Sequence, residues 1–432
     1  MRHWMRTLLL AVCMLAMASA QAQGPVCIST EETAALLTVD GRELAAPGRF
    51  DDVYCVIPGE RYALGERTDG GMRYALCDSQ GRILTEPLYT LFQAADGIIL
   101  FKQNNLYGAM DADGNVLLPA AYTQLIPASD GQYLAMRTDP FDDDADEILL
   151  ISAEGGETPV DVRTDEGLER LSSDRMPFQN SATEKFGYID GNGKIVIEAK
   201  FDTAGGFENG LARASENGKL GLIGPDGQWK VEPQFDFLET GGKASVGLIG
   251  RETFVVLDEN GDELFRVAGS GLEATLAGSS PILLTEEKML VYSLSGEVVL
   301  ETQRQATVTP GADGMLILAD GDWGESCVSL VSPEGERSER TDQYLVPLDS
   351  DRYAFIRMNA ASYYSESLDE IRVSCDYDSL RCGMMNAAGE EILPAEYLEI
   401  RALGYGRYLT VAEDGLRMTD GDGNVLWAYL KE

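Results

Sequence analysis

The sequence predicts an all-β fold, an array of about ten short antiparallel β-meander repeats that is propeller-like or open and superhelical. Glycine-centred turns recur at regular intervals along the chain. β-Branched and aromatic residues flank these turns, and no stretch has the periodicity of a long amphipathic helix. Together these three observations indicate small sheets repeated in series.

The composition is that of a globular chain with a strongly acidic surface. Of the 432 residues, 44% are hydrophobic and 25% are charged, which excludes a wholly disordered chain. Asp and Glu number 72 against 34 Lys and Arg, which gives a net charge of −38. A nucleic-acid-binding protein needs basic surface to neutralise phosphates, so that class of function is excluded.

Residues 1–20 have the three parts of a cleaved secretory signal peptide. Arg2 and Arg6 precede the apolar run Leu8–Met17, and Ala18-Ser19-Ala20 offers small residues at the cleavage site. The apolar run is too short for a membrane-spanning helix. We therefore expect a secreted, periplasmic or cell-surface bacterial protein without a membrane span after cleavage, the alternative being an uncleaved anchor.

Cleavage at this site would remove His3, the single histidine of the chain. The mature protein could then form neither a Ser-His-Asp nor a Cys-His catalytic pair, and no imidazole could bind zinc. Carboxylate pairs stay available for chemistry. We expect no enzymatic activity, no catalytic residue, no metal ligand set and no cofactor; the alternative is a carboxylate-dependent, glycosidase-like hydrolase on the same scaffold.

The turns define the repeat. Asp, Asn or Ser usually stands three residues before the turn glycine, a pattern typical of a type I turn followed by a left-handed glycine. Each unit therefore contains a β-hairpin. Most intervals between turn glycines are 33 to 41 residues, and the longest contains an insertion near 360–377. The turn glycines are Gly41, Gly81, Gly114, Gly155, Gly193, Gly227, Gly261, Gly296, Gly335, Gly389 and Gly423.

Strands are predicted on both sides of each turn, as in Tyr188-Ile189 and Ile195-Val196-Ile197. An aromatic residue recurs eight positions after the turn glycine, often behind a proline that would end the second strand. A third short apolar stretch follows, such as the one from Gly210 to Ala214. The repeat is therefore predicted to be a three-stranded meander.

The order of these motifs resembles the WG-containing repeat family, also called KWG repeats, of exported and surface bacterial proteins. Phe186-Gly187, the turn at Gly193, Phe201-Asp202 and Gly210-Leu211-Ala212 carry the resemblance. Units that begin at Tyr107-Gly108 and Cys382-Gly383 match less fully, and no copy in register has the family's tryptophan. The resemblance implies a β-repeat module without a family-wide enzymatic site, so it assigns no functional residues.

Each meander leaves an apolar face that only a neighbouring unit can cover, so the units are expected to stack on one another. Propeller blades usually have four strands in roughly 40 to 45 residues, and rings usually have about four to eight blades. Shorter and more numerous units favour two arrays or an open superhelix over one closed ring. We assign degenerate repeats to 21–180, central repeats to 181–345, and C-terminal repeats with the insertion near 360–377 to 346–432.

Six cysteines remain after removal of the signal peptide, in one group near each end of the chain. They allow 15 disulfide pairings, and free buried thiols are the alternative. If all six pair, at least one disulfide joins the two groups and thereby the two ends of the chain. They are Cys27, Cys55, Cys77, Cys327, Cys375 and Cys382.

Three features are candidates for binding. The acidic run Asp142–Glu147 offers oxygen ligands for weak Ca²⁺ binding, although a solvated loop explains it more simply. Asp420–Asn424 imitates the start of a calcium loop, which the repeat turn already explains. The insertion near 360–377 interrupts the period, and irregular loops on regular scaffolds often bind partners. Some aromatic residues could stack on sugars or peptides, although a place in the core is the commoner role: Tyr363, Tyr364, Tyr405, Tyr408 and Trp427.

The predicted function follows from the repeat architecture and from the missing catalytic signatures. We expect a non-catalytic exported β-repeat protein that presents a binding surface to a protein or glycan partner of the cell envelope.

Overall fold

The computed structural model describes residues 24–431 except for 32, 129–130, 140–141, 161, 163–167, 169–170, 181, 321–326, 340–343 and 366–369. For strand residues 139, 142–146, 320, 327, 339, 360–365, 370–375 and 377 it describes the backbone alone. The signal peptide predicted at 1–20 lies outside the described residues.

Within this part of the chain, the strands form eleven antiparallel sheets, each made of strands that are consecutive in the sequence. We number the sheets as blades 1 to 11 in chain order. Blade 1 comprises β1 (Val26–Ser29), β2 (Ala34–Leu37) and β3 (Glu43–Phe50); blade 2 comprises β4 (Asp52–Ile57), β5 (Arg61–Thr68) and β6 (Gly71–Asp78). Blade 3 comprises β7 (Leu91–Ala95), β8 (Ile98–Gln103), β9 (Leu106–Met110) and β10 (Val116–Tyr122); blade 4 comprises β11 (Gln124–Pro127), β12 (Tyr133–Asp139), β13 (Asp142–Ile151) and β14 (Glu157–Pro159).

Blade 5 comprises β15 (Met176–Gln179), β16 (Phe186–Ile189) and β17 (Ile195–Phe201); blade 6 comprises β18 (Thr203–Glu208), β19 (Leu211–Glu216), β20 (Lys219–Ile223) and β21 (Trp229–Phe235). Blade 7 comprises β22 (Phe237–Gly241), β23 (Ala244–Ile249), β24 (Thr253–Asp258) and β25 (Glu263–Ala268); blade 8 comprises β26 (Glu273–Ala277), β27 (Ser280–Leu284), β28 (Lys288–Tyr292) and β29 (Val298–Gln303). Blade 9 comprises β30 (Thr307–Pro310), β31 (Leu316–Asp320), β32 (Cys327–Val331) and β33 (Arg337–Glu339), with a 3-10 turn at Ala312–Gly314. Blade 10 comprises β34 (Tyr344–Pro347), β35 (Arg352–Ser365), β36 (Glu370–Asn386) and β37 (Glu391–Tyr397); blade 11 comprises β38 (Glu399–Gly404), β39 (Arg407–Ala412), β40 (Gly415–Asp420) and β41 (Val425–Leu430).

The eleven glycine turns are confirmed at every predicted position. Each turn glycine has a φ between +70° and +89°. Its N–H donates to the carbonyl oxygen three residues earlier, at 2.9 to 3.1 Å. Each turn lies between the last two strands of its blade, except in blade 2, where isolated bridges from Cys77 to Ile83 and from Tyr74 to Tyr89 replace a fourth strand. The need for a residue with positive φ at each turn therefore places a glycine at the same position in every repeat.

The prediction of three strands in each unit is wrong for eight of the eleven described sheets, which have four. The missed strand lies between the recurrent aromatic residue and the third apolar stretch. In blade 6 this strand is β18, which contains Gly205 and Gly206 and has a single buried side chain, Phe207. Glycines weaken the strand signal, and one buried residue gives no alternation to detect.

The blades form a closed eleven-blade β-propeller, so the propeller-like alternative is confirmed and the preference for split or open arrays is wrong. The first strands of neighbouring blades contact one another, as β4 does with β7 and β22 with β26, which places them nearest the axis. β38 of the last blade contacts β1 of the first. With a fourth strand, eight of the described units have the usual strand number of a propeller blade, which the predicted three-stranded meander did not have.

The core consists of eleven apolar clusters, one between each pair of adjacent blades in the described chain. The cluster that closes the ring joins Val26 and Ile28 of blade 1 to Leu409, Met418 and Trp427 of blade 11. No blade therefore buries its faces alone, and every interface depends on both neighbours.

Candidate functional site

The ring has two unlike faces. Because adjacent strands in a blade are antiparallel, the connection from the second to the third strand leaves one side of the ring, and the glycine turn lies on the other. We call these the loop face and the turn face. On the turn face the eleven turns share one hydrogen-bonding pattern. Three departures from the repeat in the described chain lie on the loop face.

The first departure is in blade 10. Strands β35 and β36 pair from Asn359–Asp376 to Ser365–Glu370. These pairs lie beyond β34, which begins opposite Ile356, and beyond β37, which ends opposite Cys382. Asn359–Ser365 and Glu370–Asp376 therefore form a two-stranded ribbon whose outer edges have no strand partner among the described residues. The insertion predicted near 360–377 lies in this ribbon. The side chains of Tyr363 and Tyr364 lie outside the described part.

The second departure is the hairpin of β12 and β13 in blade 4. Its strands pair from Arg137–Glu147 to Asp139–Asp142, beyond the flanking strands of the blade. Arg137 forms ion pairs with Glu147 at 3.4 Å and with Glu157 at 2.7 Å. The Arg137 hydrogen bond holds the pKa of Glu157 below its usual value. The acidic run Asp142–Glu147 lies here, but only the Glu147 side chain is described, so the Ca²⁺ prediction stays a prediction.

The third departure is an open cleft of about 580 Å³ between the loop-face ends of blades 7, 8 and 9. Glu273, at the start of β26, lies at its centre. One carboxylate oxygen of Glu273 accepts a hydrogen bond from Arg251 at 2.8 Å, and the other accepts one from Arg304 at 2.6 Å. Glu252 and Glu286 also line the cleft, and no described cation pairs with either carboxylate. The centre of the cleft therefore holds two guanidinium groups and one carboxylate, and two carboxylates without a described cation lie beside it.

The remaining candidates belong to the scaffold. The Oδ1 atom of Asp420 accepts the backbone N–H groups of Asp422 and Asn424 at 3.0 and 2.9 Å, so this carboxylate stabilises its turn. Tyr408 and Trp427 are buried in the core. In the described part of the chain, no group of three or more His, Cys, Asp or Glu side chains is placed to hold a metal ion. No helix there is both long enough and apolar enough to span a membrane.

The connection between blades 5 and 6 shows why the repeat needs its fixed residues. Asp202 follows the terminal aromatic Phe201, and its N–H donates to Ser215 O of blade 6 at 2.9 Å. Its carboxylate pairs with Lys185 of blade 5 and accepts a hydrogen bond from Gly218 N of blade 6 at 3.4 Å. One aspartate therefore joins two blades.

The glycine of the aromatic-Gly pair has a different role. A Cβ at Gly187 would lie 2.4 Å from Ile197 O on the adjacent strand. This position has an ordinary φ, so the requirement is close approach of two backbones. Residues 186–219 match the WG containing repeat family. In this matching segment, Gly187 lets β17 approach β16, Gly193 makes the turn and Asp202 fixes the next blade. The match confirms the resemblance carried by this copy.

Solved structures align with the chain at low identity. No curated protein matches the chain. A crystal structure of a eukaryotic initiation factor aligns with a TM-score of 0.44 and 10% identity, covering 86% of this chain and 96% of that one. BamB from Moraxella catarrhalis aligns with a TM-score of 0.28 and 12% identity over 74% and 92% of the two chains. The dihydro-heme d1 dehydrogenase NirN aligns with a TM-score of 0.31 and 13% identity over 76% and 75%.

Proposed function

We propose that this chain is a non-catalytic, exported β-propeller whose loop face binds an extended, basic segment of a protein in the bacterial cell envelope. One observation carries the proposal: the ribbon, the β12–β13 hairpin and the three-blade cleft lie on the same face of the ring. Irregular elements on a rigid scaffold are where binding residues concentrate.

The charge of the cleft supports a basic partner. Glu252 and Glu286 have no described ion-pair partner, and the chain carries a net charge of −38. Arginine or lysine side chains of a partner could pair with these two carboxylates while the Arg251–Glu273–Arg304 group stays intact. Charge complementarity of this kind mainly speeds association and selects partners.

The ribbon supports an extended partner. A strand edge exposes unpaired N–H and C=O groups, to which another polypeptide strand can add. The edges of residues 359–376 are unpaired within the described chain. Backbone pairing there, together with side-chain contacts in the cleft, would bind a segment across the loop face.

The titration of the carboxyl groups supports a non-catalytic role. In the described part of the chain, each Asp or Glu whose pKa departs from its ordinary value has it lowered. The largest cause is a hydrogen bond from the Asn115 side chain for Asp111, from Arg137 for Glu157 and from Lys219 for Asp236. A glycosidase general acid needs the opposite, a raised pKa. No observation therefore favours the hydrolase alternative.

Export is tested by producing the full chain in a bacterial host, fractionating the cells and sequencing the N-terminus of the mature protein. The proposal expects protein outside the cytoplasm that begins after Ala20. A cytoplasmic chain that retains Met1 would overturn it.

Binding is tested by capturing envelope proteins on the immobilised chain and repeating the measurement with each purified candidate. The cleft variant Glu252→Lys/Glu286→Lys is compared with the control variant Glu154→Lys/Glu336→Lys, which makes the same charge change at exposed turn-face positions. We expect the control to retain one salt-sensitive protein partner and the cleft variant to lose it. Equal binding by both variants, retention of no protein, or a signal only on a glycan array would each contradict the proposal.

A further inference from the structure

Three of the four described cysteines lie at one interface, between blades 1 and 2. In β1, Val26 and Ile28 pack against blade 11, whereas Cys27 packs against the cluster between blades 1 and 2. Successive residues of a strand point to opposite faces, so Cys27 faces blade 2. The structure has Cys27, half-buried, as a free thiol.

Cys55 faces the same interface from the other side. It lies directly opposite Tyr62 on β5, and Tyr62 lies directly opposite Cys77 on β6. Residues opposite each other in antiparallel strands point to the same face of the sheet. Tyr62 and Cys77 both belong to the cluster between blades 1 and 2, so Cys55 also faces blade 1. Cys55 is exposed and has a free thiol.

The register between the two strands brings Cys27 and Cys55 to similar heights. β1 runs toward the loop face and β4 away from it, and the two strands contact each other. Ser29 Oγ donates to Asp52 Oδ1 at 2.5 Å, which aligns the end of β1 with the start of β4. Cys27 is two residues and Cys55 three residues from this contact, a difference of about 3 Å along the strands.

We propose that Cys27 and Cys55 form a disulfide that joins blade 1 to blade 2. The two thiols lose two protons and two electrons, and the new bond joins their sulfur atoms. The electrons reduce the disulfide of a thiol–disulfide oxidoreductase, or in vitro glutathione disulfide, to two thiols. The bond fixes β1, the first described strand of the ring, to its neighbour and so prevents fraying of this end.

Geometry excludes the competing bond from Cys55 to Cys77. Their strands are separated by β5, so their Cα atoms lie about 10 Å apart, and a disulfide needs less than about 7 Å. Cys77 is fully buried, and burial raises the pKa of its thiol to about 12, which makes it unreactive. Cys382 belongs to the cluster between blades 10 and 11. The side chains of Cys327 and Cys375 lie outside the description.

The experiment is peptide mapping without reduction. The chain is unfolded with a reductant, refolded in a mixture of reduced and oxidised glutathione, alkylated and digested with trypsin. Cleavage after Arg42, Arg49 and Arg61 places Cys27 and Cys55 on different peptides. We expect one linked pair, two hydrogens lighter than the sum of its peptides, with Cys77 alkylated only after unfolding.

Variants test whether the Cys27–Cys55 disulfide itself, and not a general effect on folding, gives the linked pair and the rise in melting temperature. Cys27→Ser and Cys55→Ser should each remove the linked pair and abolish the rise in melting temperature of oxidised over reduced protein, whereas Cys77→Ala should keep both. If Cys77→Ala does not fold, the wild-type map alone decides. Alkylated Cys27 in the refolded wild type, or Cys27 linked to a different cysteine, would overturn the proposal. This test does not depend on the binding or export of the chain.

Discussion

The indole Nε1 of Trp427 in blade 11 donates a hydrogen bond to Oε1 of Glu43 in blade 1, at 3.0 Å. Arg407 Nε donates to Val39 O across the same junction at 2.7 Å. These bonds join residues from opposite ends of the chain, and no strand is shared between the two blades. Side-chain contacts and the apolar cluster below them therefore close the ring.

Removing the indole donor should weaken this closure. Trp427→Phe keeps an aromatic ring in the cluster but loses the hydrogen bond, so we expect a loss of about 1 kcal/mol in the free energy of unfolding. Glu43→Ala should cost a similar amount. Glu43→Gln, which keeps a carbonyl acceptor, should be close to wild type. Urea denaturation of the three variants checks this, and a larger loss for Glu43→Gln than for Glu43→Ala would refute the role of the hydrogen bond.

Three glycines of blade 6 should respond differently to alanine. Gly210 has a φ of +81° and open space around it, so Gly210→Ala should cost about 1 kcal/mol from backbone strain alone. Gly227 has a φ of +72°, and its Cβ would also lie 2.7 Å from Ile197 Cγ2, which should add to the cost. A Cβ at Gly221 would lie 2.5 Å from Val231 O, and backbone cannot move aside as a side chain can.

The expected order of destabilisation is therefore Gly221→Ala, then Gly227→Ala, then Gly210→Ala. Denaturant midpoints of the three variants measure it. If Gly210→Ala were the most damaging, strain and close approach would not explain the repeat.

The sequence was sufficient to predict the turns but not the number of strands. The turn at Gly193 is determined locally, because it needs only a residue that accepts φ > 0 and a hydrogen-bonding residue, Asp190, three positions earlier. β18 has neither alternation nor high strand propensity, so it forms only because β19 lies beside it. Closure of the ring depends on contacts such as the one between Glu43 and Trp427, which are far apart in the sequence. No local sequence pattern indicates that two such residues are in contact.

The candidate site divides in the same way. The ribbon was predicted as an insertion near 360–377, because a broken period is visible in the spacing of turn glycines. The cleft was not predicted, because Arg251, Glu273 and Arg304 come from three separate segments without a common motif. Arg251 and Arg304 lie in connections between strands, and the sequence alone does not define where a connection places its side chains.

Stability should fall in acid through the aspartates that join blades. The hydrogen bond from Lys219, and a second from Gly250 N, hold the pKa of Asp236 below its ordinary value. Because the folded-state pKa is lowered, the unfolded chain binds more protons near pH 4. The stabilisation is therefore complete above the ordinary Asp pKa of about 3.9 and is lost as the pH falls through the folded value.

Asp236→Asn should flatten the acid side of the stability curve, because the amide cannot titrate. The measurement is the urea midpoint between about pH 6 and about pH 2. Asp69→Asn is the matched control, since Asp69 is exposed and has no described ion pair. An acid limb that is equally steep in wild type and Asp236→Asn would show that this carboxylate does not contribute.

The ribbon should be dispensable for the fold and required for binding. Of residues 359–376, the described Asn359–Ser365 and Glu370–Asp376 pair only with each other in the sheet, and an isolated two-stranded hairpin contributes little stability in water. Replacing them by Asn-Gly joins Met358 to Tyr377 through a turn that suits a hairpin. We expect the melting temperature to change by no more than a few degrees and the binding of the basic partner to weaken at least tenfold. The contrasting variant replaces β18 of blade 6 by Asn-Gly in the same way. Because β18 pairs with β19, we expect its removal to unfold the ring. A ribbon deletion that unfolds the protein would assign residues 359–376 to the scaffold, and one that leaves binding unchanged would confine recognition to the cleft.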